Sequence, residues 1–371
     1  MSETSYVVVF PSIFSKNKIP QLIKNIKKIL RIKNQSFNSV KRDGEIILIN
    51  ANDPVFASSA ISLLFGIEKI AIARQTKNNF QEIVSEITLI GGNLLLKGEK
   101  FLVKVEGTSK GFLTKDIEIA STSEIIEKKS NLGARPGTEE DHNKLLYTYL
   151  TKENAYVCIF IDRGMSGIPY ATQKEKTICA IYDEISAISC FETIKQGYDT
   201  QIVVCYRESN ELTNLVKMIN QILPRLVENK ISLDFFQIKM SSKGIKNYQK
   251  LLRIVSEILL TYPNKHISLP LSPLMFSLEQ MEKILNKIFK SKKIPIIPLA
   301  GLDTNLFADA KEIGMGPNVN KIEKLFAAKS IQFDDISNKE LDSILNTKKV
   351  IDVIVGPNNV HDILDSFEEN H

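Results

Sequence analysis

The stretch RGMSGIPYATQKEKTICAIYDEISAISCFETIKQ, Arg163 to Gln196, decides how the chain is read. It opens with a Gly/Pro linker, Gly164 to Pro169, and passes through a short apolar run, Thr177 to Ile181. It then turns at Tyr182-Asp183-Glu184-Ile185-Ser186 and continues as a helix over 186–196. A strand running straight into a helix N-terminus is where α/β proteins hold phosphate, because unpaired backbone N–H groups and the helix dipole point at the same anion. This turn has no glycine and carries two carboxylates. The layout is that of a nucleotide site; the side chains are not.

Downstream, apolar runs at Gln201–Cys205, Leu233–Lys239, His266–Leu271 and Pro295–Leu299 alternate with helical patterns over 211–227, 246–261 and 278–290. Such alternation predicts βαβ units and a parallel, Rossmann-like sheet, whose ligands sit at the C-terminal ends of its strands. Segments 304–314, 321–328 and 338–346 read as helices, Val350–Val355 as a last strand, and Asp303 as a helix cap.

Upstream, the order is strand Tyr6–Phe10, helix Ile19–Leu30, a hairpin over Ser39–Asn50 turning at Asp43-Gly44, a helix from Pro54 to Leu64 and strand Ile67–Ala73. This β-α-β-β-α-β order predicts a ferredoxin-like α+β unit over 1–75. The lysine face of its first helix reads as solvated surface. A second α/β unit over 76–165 holds helix Phe80–Leu96, the alternating strand Phe101–Glu106, a helix to Lys129 capped by Thr114, and a hairpin of Lys144–Tyr149 with Ala155–Ile161. The third domain spans 170–371.

At 371 residues, 43% hydrophobic and 25% charged, the chain has the composition of an ordinary globular protein of two or three domains. Its start, MSETSYVVVF, lacks the basic-then-apolar pattern of a signal peptide, and no apolar run reaches membrane-span length. A cytoplasmic protein with no membrane partner is expected. Cys158, Cys179, Cys190 and Cys205 form no CxxC pair and are expected to be reduced core thiols. The four histidines are scattered, His142 and His361 with no partner in sequence, so no metal is expected. Adjacent Asp183 and Glu184 suit either Mg²⁺ or the first turn of a helix, and the helix reading is preferred.

The net charge is +5, a mild value, and the distribution says more. Lys97, Lys100, Lys104, Lys110, Lys115, Lys128 and Lys129 recur through one strand, loop and helix, with Arg135 and Arg163 nearby. Lysines of this kind supply salt-dependent phosphate contacts, and Phe112 in the loop Gly107–Leu113 is placed to stack on an unpaired base.

Four segments carry a resemblance. FLVKVEGTSKGF (101–112), AYVCIFIDRGMSGIPYATQKEKTICAIY (155–182), NYQKLLRIVSEI (247–258) and IPIIPLAGLDTNLFADAKEIG (294–314) resemble, in order, parts of the tRNA 4-thiouridine synthetase (tRNA sulfurtransferase) family. That family joins a ferredoxin-like domain, a tRNA-binding THUMP domain and a PP-loop ATP pyrophosphatase domain. The resemblance therefore implies tRNA or another structured RNA as partner, and a homodimer or a separate tRNA-modifying enzyme as further partners. The departures fall on the chemistry. The family loop SGGxDS is matched by Tyr182, Asp183, Glu184, Ile185, Ser186 and Ala187, with carboxylates at both glycine positions and Ser186 at the Asp position. Negative charge there repels a triphosphate. The first sulfur-handling cysteine is matched by Asn247, and no cysteine lies between Gly314 and Ala328 for the second. The signature RYGEIALKG is replaced by FPSIFSKNK, Phe10 to Lys18. The expectation is a tRNA-binding protein without catalytic residues, needing no cofactor. The alternatives are an ATP- and Mg²⁺-dependent tRNA-modifying enzyme with a rebuilt site, or a protein-interaction module.

Overall fold

A computed structural model of the chain describes residues 5–129, 133–240, 245–273, 276–301, 308–311, 314 and 337–368, of which 245–248 and 368 by backbone alone. They form two compact units divided between Gly167 and Ile168.

The first unit is built on one eight-stranded sheet. Its strands are β1 (Ser5–Pro11), β2 (Phe37–Asp43), β3 (Ile46–Ala51), β4 (Ile67–Lys77), β5 (Lys100–Gly107), β6 (Arg135–Pro136), β7 (Lys144–Leu150) and β8 (Asn154–Ser166), in the spatial order β2-β3-β1-β4-β8-β7-β5-β6. Its helices are α1 (Ile19–Ile32), α2 (Pro54–Ile61), α3 (Phe80–Leu94) and α4 (Thr114–Lys128). Strand alternation divides the two faces. Phe101, Val103 and Val105 point into a core with Ile83, Ile87 and Ile90 of α3 and Ile117 and Ile125 of α4. Helix α1 turns its apolar stripe, Leu22, Ile26, Ile29 and Leu30, inward. The opposite sheet face buries Val8, Ala71, Tyr147, Tyr156 and Cys158. That face is closed where the hairpin tips meet: Tyr156 Oη and Thr151 Oγ1 donate to Asp43 Oδ2 at 2.6 and 2.9 Å.

The boundary expected near residue 75 falls inside β4, which pairs with β1 on one side and with β8 on the other. The two N-terminal regions therefore share one sheet. The expected linker at Gly164 is part of β8. A Cβ at Gly164 would lie 2.3 Å from the Ile67 carbonyl oxygen, so glycine is what lets β8 continue against β4.

The second unit has a six-stranded sheet of β9 (Thr177–Ile181), β10 (Thr200–Tyr206), β11 (Lys230–Gln237), β12 (His266–Ser268), β13 (Ile294–Ile296) and β14 (Lys349–Ile354), ordered β13-β12-β9-β10-β11-β14. Five strands run parallel, as the βαβ reading requires, with α5 (Glu184–Lys195), α6 (Ser209–Ile222), α7 (Ile245–Leu260) and α8 (Leu278–Lys290) as connections. The edge strand β14 pairs antiparallel with β11, so the sheet is mixed. Helix α6 stops short of the expected residue 227 because Pro224 tightens the next turn to 3-10 geometry. After α9 (Asn338–Leu345) comes α10 (Asn359–Glu368), beyond the last element expected from sequence; its Phe367 packs edge-on against Tyr206 and Phe235. Asp303, helix 321–328 and most of 304–314 lie outside the described residues.

The expectation of four reduced thiols is corrected. Cys179 of β9 and Cys190 of α5 form a disulfide, while Cys158 and Cys205 are free and buried. Packing α5 back on β9 creates the pair, so no local spacing announces it. No helix among the described residues is long and apolar enough to cross a membrane.

Candidate nucleic-acid interface and anion turn

The turn between β9 and α5 sits at the C-terminal end of a central parallel strand, as expected. The helix begins two residues earlier than read, at Glu184, because Asp183 caps it. The amides of Tyr182 and Asp183 both donate to Ser186 Oγ at 2.9 Å, and the Ser186 amide donates to Asp183 Oδ1 at 2.8 Å. The Ser186 hydroxyl completes the ring by donating to Asp183 Oδ1 at 2.7 Å. Three backbone N–H groups that a phosphate-binding turn would offer to a ligand are thus satisfied within the turn. Burial pushes the Asp183 carboxyl up to about 6, against the lowering effect of its hydrogen bonds from Ser186 and of the Arg207 charge. Arg207, just past β10, is held by Glu211, its Nη2 at 2.6 Å from Oε1 and its Nε at 3.0 Å from Oε2. The sequence reading missed this residue; an arginine directly after the apolar run IVVCY, at a parallel-strand C-terminus, was the available signal. No group of three or more metal-ligating side chains occurs among the described residues.

The structure distributes the predicted basic residues instead of gathering them. Lys97, Lys100, Lys128, Lys129 and Arg135 belong to the end of the unit where β5 begins and α4 finishes; Lys100 and Arg135 are directly paired across β5 and β6. Lys110, Phe112 and Lys115 belong to the other end, where β5 finishes and α4 begins. Arg163 lies away from both, on β8, bordering a groove of about 680 Å³ with Val55, Ile72 and Phe160.

Most of the lysines are paired with carboxylates. Lys100 pairs with Asp141, Lys110 with Glu153 at 3.5 Å, Lys115 with Glu118 at 2.8 Å and Lys128 with Glu124 at 3.0 Å. Lys104 Nζ lies 3.0 Å from Glu139 and 3.7 Å from Glu106. Its hydrogen bond and charge interaction with Glu139 hold the ammonium pKa up and the carboxyl pKa down. Phe112 is half-buried, edge-on to Phe80 with centroids 5.8 Å apart, and packs against the α3–α4 core. His142 bonds the Thr138 carbonyl through Nδ1 at 2.8 Å, and His361 is exposed.

No protein-family model matches the chain. A probable tRNA sulfurtransferase of Methanosarcina mazei is 23% identical over 186 residues, 50% of this chain and 46% of the relative. One from Thermoanaerobacter sp. is 23% identical over 244 residues, 62% of this chain and 60% of the relative. The chain thus spans about half the length of the first of these curated relatives. Among solved structures, the protein PH1313 of Pyrococcus horikoshii superposes with a TM-score of 0.62 at 18% identity, covering 84% of this chain and 99% of that one. A 4-thiouridine synthetase in complex with RNA and bound ATP superposes with a TM-score of 0.61 at 14% identity, covering 95% and 100%. The sequence matches and the shared α/β architecture lead to one relationship: the chain is a distant, low-identity relative of the tRNA 4-thiouridine synthetase family.

Proposed function

We propose that the chain binds tRNA through its N-terminal unit and carries no ATP-dependent thiolation activity of its own. In this reading β1–β4 with α1 and α2 are the ferredoxin-like part, β5–β8 with α3 and α4 the THUMP-like part, and residues 168–371 a PP-loop-like domain with an altered loop. The protein works in the cytoplasm, beside a separate tRNA-modifying enzyme. The tRNA half of the reading rests on the family relationship.

The observation that carries the non-catalytic half is the closed ring at Tyr182, Asp183 and Ser186. A pyrophosphate bound there would have to displace the Ser186 hydroxyl from two amides and the Asp183 carboxylate from a third. Each displaced buried donor or acceptor costs about 1–3 kcal/mol unless the ligand replaces its bond. A carboxylate beside the ligand adds repulsion. The test is a titration of the full chain with unfractionated tRNA across salt, run beside a titration with ATP and Mg²⁺. Salt-sensitive tRNA binding without ATP binding is the expected result. ATP binding that the Asp183→Ala substitution changes would overturn the non-catalytic half, and absence of tRNA binding at low salt would overturn the other.

A further inference from the structure

From Thr4 to Arg42 the chain contains nine Lys and Arg residues and no Asp or Glu. Over Lys97–Lys129, seven lysines are matched by six carboxylates. The ion pairs follow this difference. Five of those seven lysines are engaged with carboxylates. Among the described residues none of Lys16, Lys24, Lys27 or Arg31 forms an ion pair.

The basic residues of the first segment are also arranged. Lys24, Lys27 and Arg31 are spaced i, i+3 and i+7 on α1, opposite its buried stripe, so they share one face along about 10 Å of helix axis. Helix α1 is preceded by a 3-10 turn, Ile13–Lys18, that exposes Lys16 and shows two apolar side chains to solvent, Ile13 at 72% and Phe14 at 60% exposure. That turn is fixed to the unit by its buried serines. The Ser12 amide and Ser15 Oγ donate to the Gly66 carbonyl at 2.9 and 2.8 Å, and Ser12 Oγ donates to the Gly167 carbonyl at 2.6 Å. A turn held this firmly displays Phe14 in one place instead of letting it fold inward.

Resting on the tRNA-binding reading above, we infer that the outer face of α1, with Lys16 and Phe14 of the preceding turn, is the main phosphate-contacting surface for RNA. It lies toward the β2 edge of the sheet, opposite the β5–β6 edge. The inference has two physical grounds. A cation already paired with a carboxylate gains less from a phosphate, because an exposed pair worth up to about 1 kcal/mol must first be opened; an unpaired one releases condensed counterions without that cost. An exposed, anchored aromatic is the residue type that stacks on an unpaired base. A lipid surface fits less well, since α1 spends its apolar face on the core and keeps no hydrocarbon-inserting stripe.

The test compares the full chain with two triple variants, Lys24→Gln/Lys27→Gln/Arg31→Gln and Lys104→Gln/Lys110→Gln/Lys115→Gln, titrated with unfractionated tRNA from about 50 to 200 mM salt. Circular dichroism and melting curves check that each is folded. The α1 variant is expected to lose affinity by about tenfold or more, with the log K against log salt slope reduced by about 2–3; the second variant changes the slope by less than about 1. Phe14→Ala is expected to weaken binding with the salt slope unchanged. Unchanged binding by the α1 variant, beside loss in the second, overturns this inference and leaves the tRNA reading standing. No tRNA binding by the parent chain overturns that reading as well. Binding to anionic phospholipid vesicles that the α1 variant abolishes, in a chain that ignores tRNA, would assign the face to membranes.

Discussion

Asp183 shows how one side chain can satisfy the backbone of a strand-to-helix turn from within. Its carboxylate caps α5 and receives the Ser186 amide and hydroxyl, which is the geometry an anion would otherwise have. The arrangement has a cost that pH exposes. Burial raises the carboxyl to about 6 in the folded chain, above the ordinary unfolded value near 3.9. The folded state therefore binds the proton more tightly, and the associated stability is fully present below the unfolded pKa and is lost as pH rises through about 6. Asp183→Asn keeps an oxygen acceptor for the Ser186 amide and removes the titration. The variant should be more stable than the parent at pH 7 by about 1–2 kcal/mol, with the gain vanishing near pH 4, when urea melts are compared at both values. An equal difference at both pH values would show that the Asp183 charge is not what matters. The residues of this turn were legible in sequence, carboxylates included. The closed ring was not, because it depends on Asp183 capping a helix that starts at Glu184, two residues before the helical pattern of 186–196. Cys179 and Cys190 were unreadable for a similar reason: their pairing is made by α5 lying on β9.

At the scale of elements, the strands and helices were mostly legible because their patterning is local. The hairpin turn at Asp43-Gly44, the apolar stripe of α1 and the alternation of β5 are all visible in a short window. What escaped was pairing between distant segments. The β4–β8 ladder joins residues some ninety positions apart, such as Ile70 and Asp162, and merges two expected domains into one sheet. The β11–β14 pairing, Leu233 with Ile351, reverses the direction of an edge strand in the same way. Glycines mark where such pairing is tightest. Gly107 ends β5 at φ +105°, and a Cβ there would fall 2.1 Å from the Leu150 carbonyl oxygen. Gly107→Ala is therefore expected to destabilise the first unit by about 3 kcal/mol or more. Gly98→Ala is the control: Gly98 has φ +79° with no described residue within 4 Å of the added carbon, so the left-handed backbone term of about 1 kcal/mol is the expected loss. Similar losses for the two in thermal melts would contradict the packing argument.

For the whole molecule, the useful fact is that both sheets close within their own units. Every described strand pairing falls on one side of the Gly167–Ile168 division. A unit of 167 residues is well above the size at which a single core supports a stable domain. Ending a fragment at Gly167 retains its carbonyl as the acceptor of Ser12 Oγ, and hence the anchor of the turn that carries Phe14. The fragment 1–167 is therefore expected to fold cooperatively and to bind unfractionated tRNA with the salt slope of the full chain, since α1 and its cations are all inside it. The fragment 168–371 is expected to fold and to leave both tRNA and ATP unbound. Calorimetry supplies the folding check and a salt titration the binding. A folded 1–167 fragment that has lost tRNA binding, restored only in the intact chain, would mean that the second unit contributes phosphate contacts of its own. The lysines of α1 would then be one part of a larger surface instead of its centre.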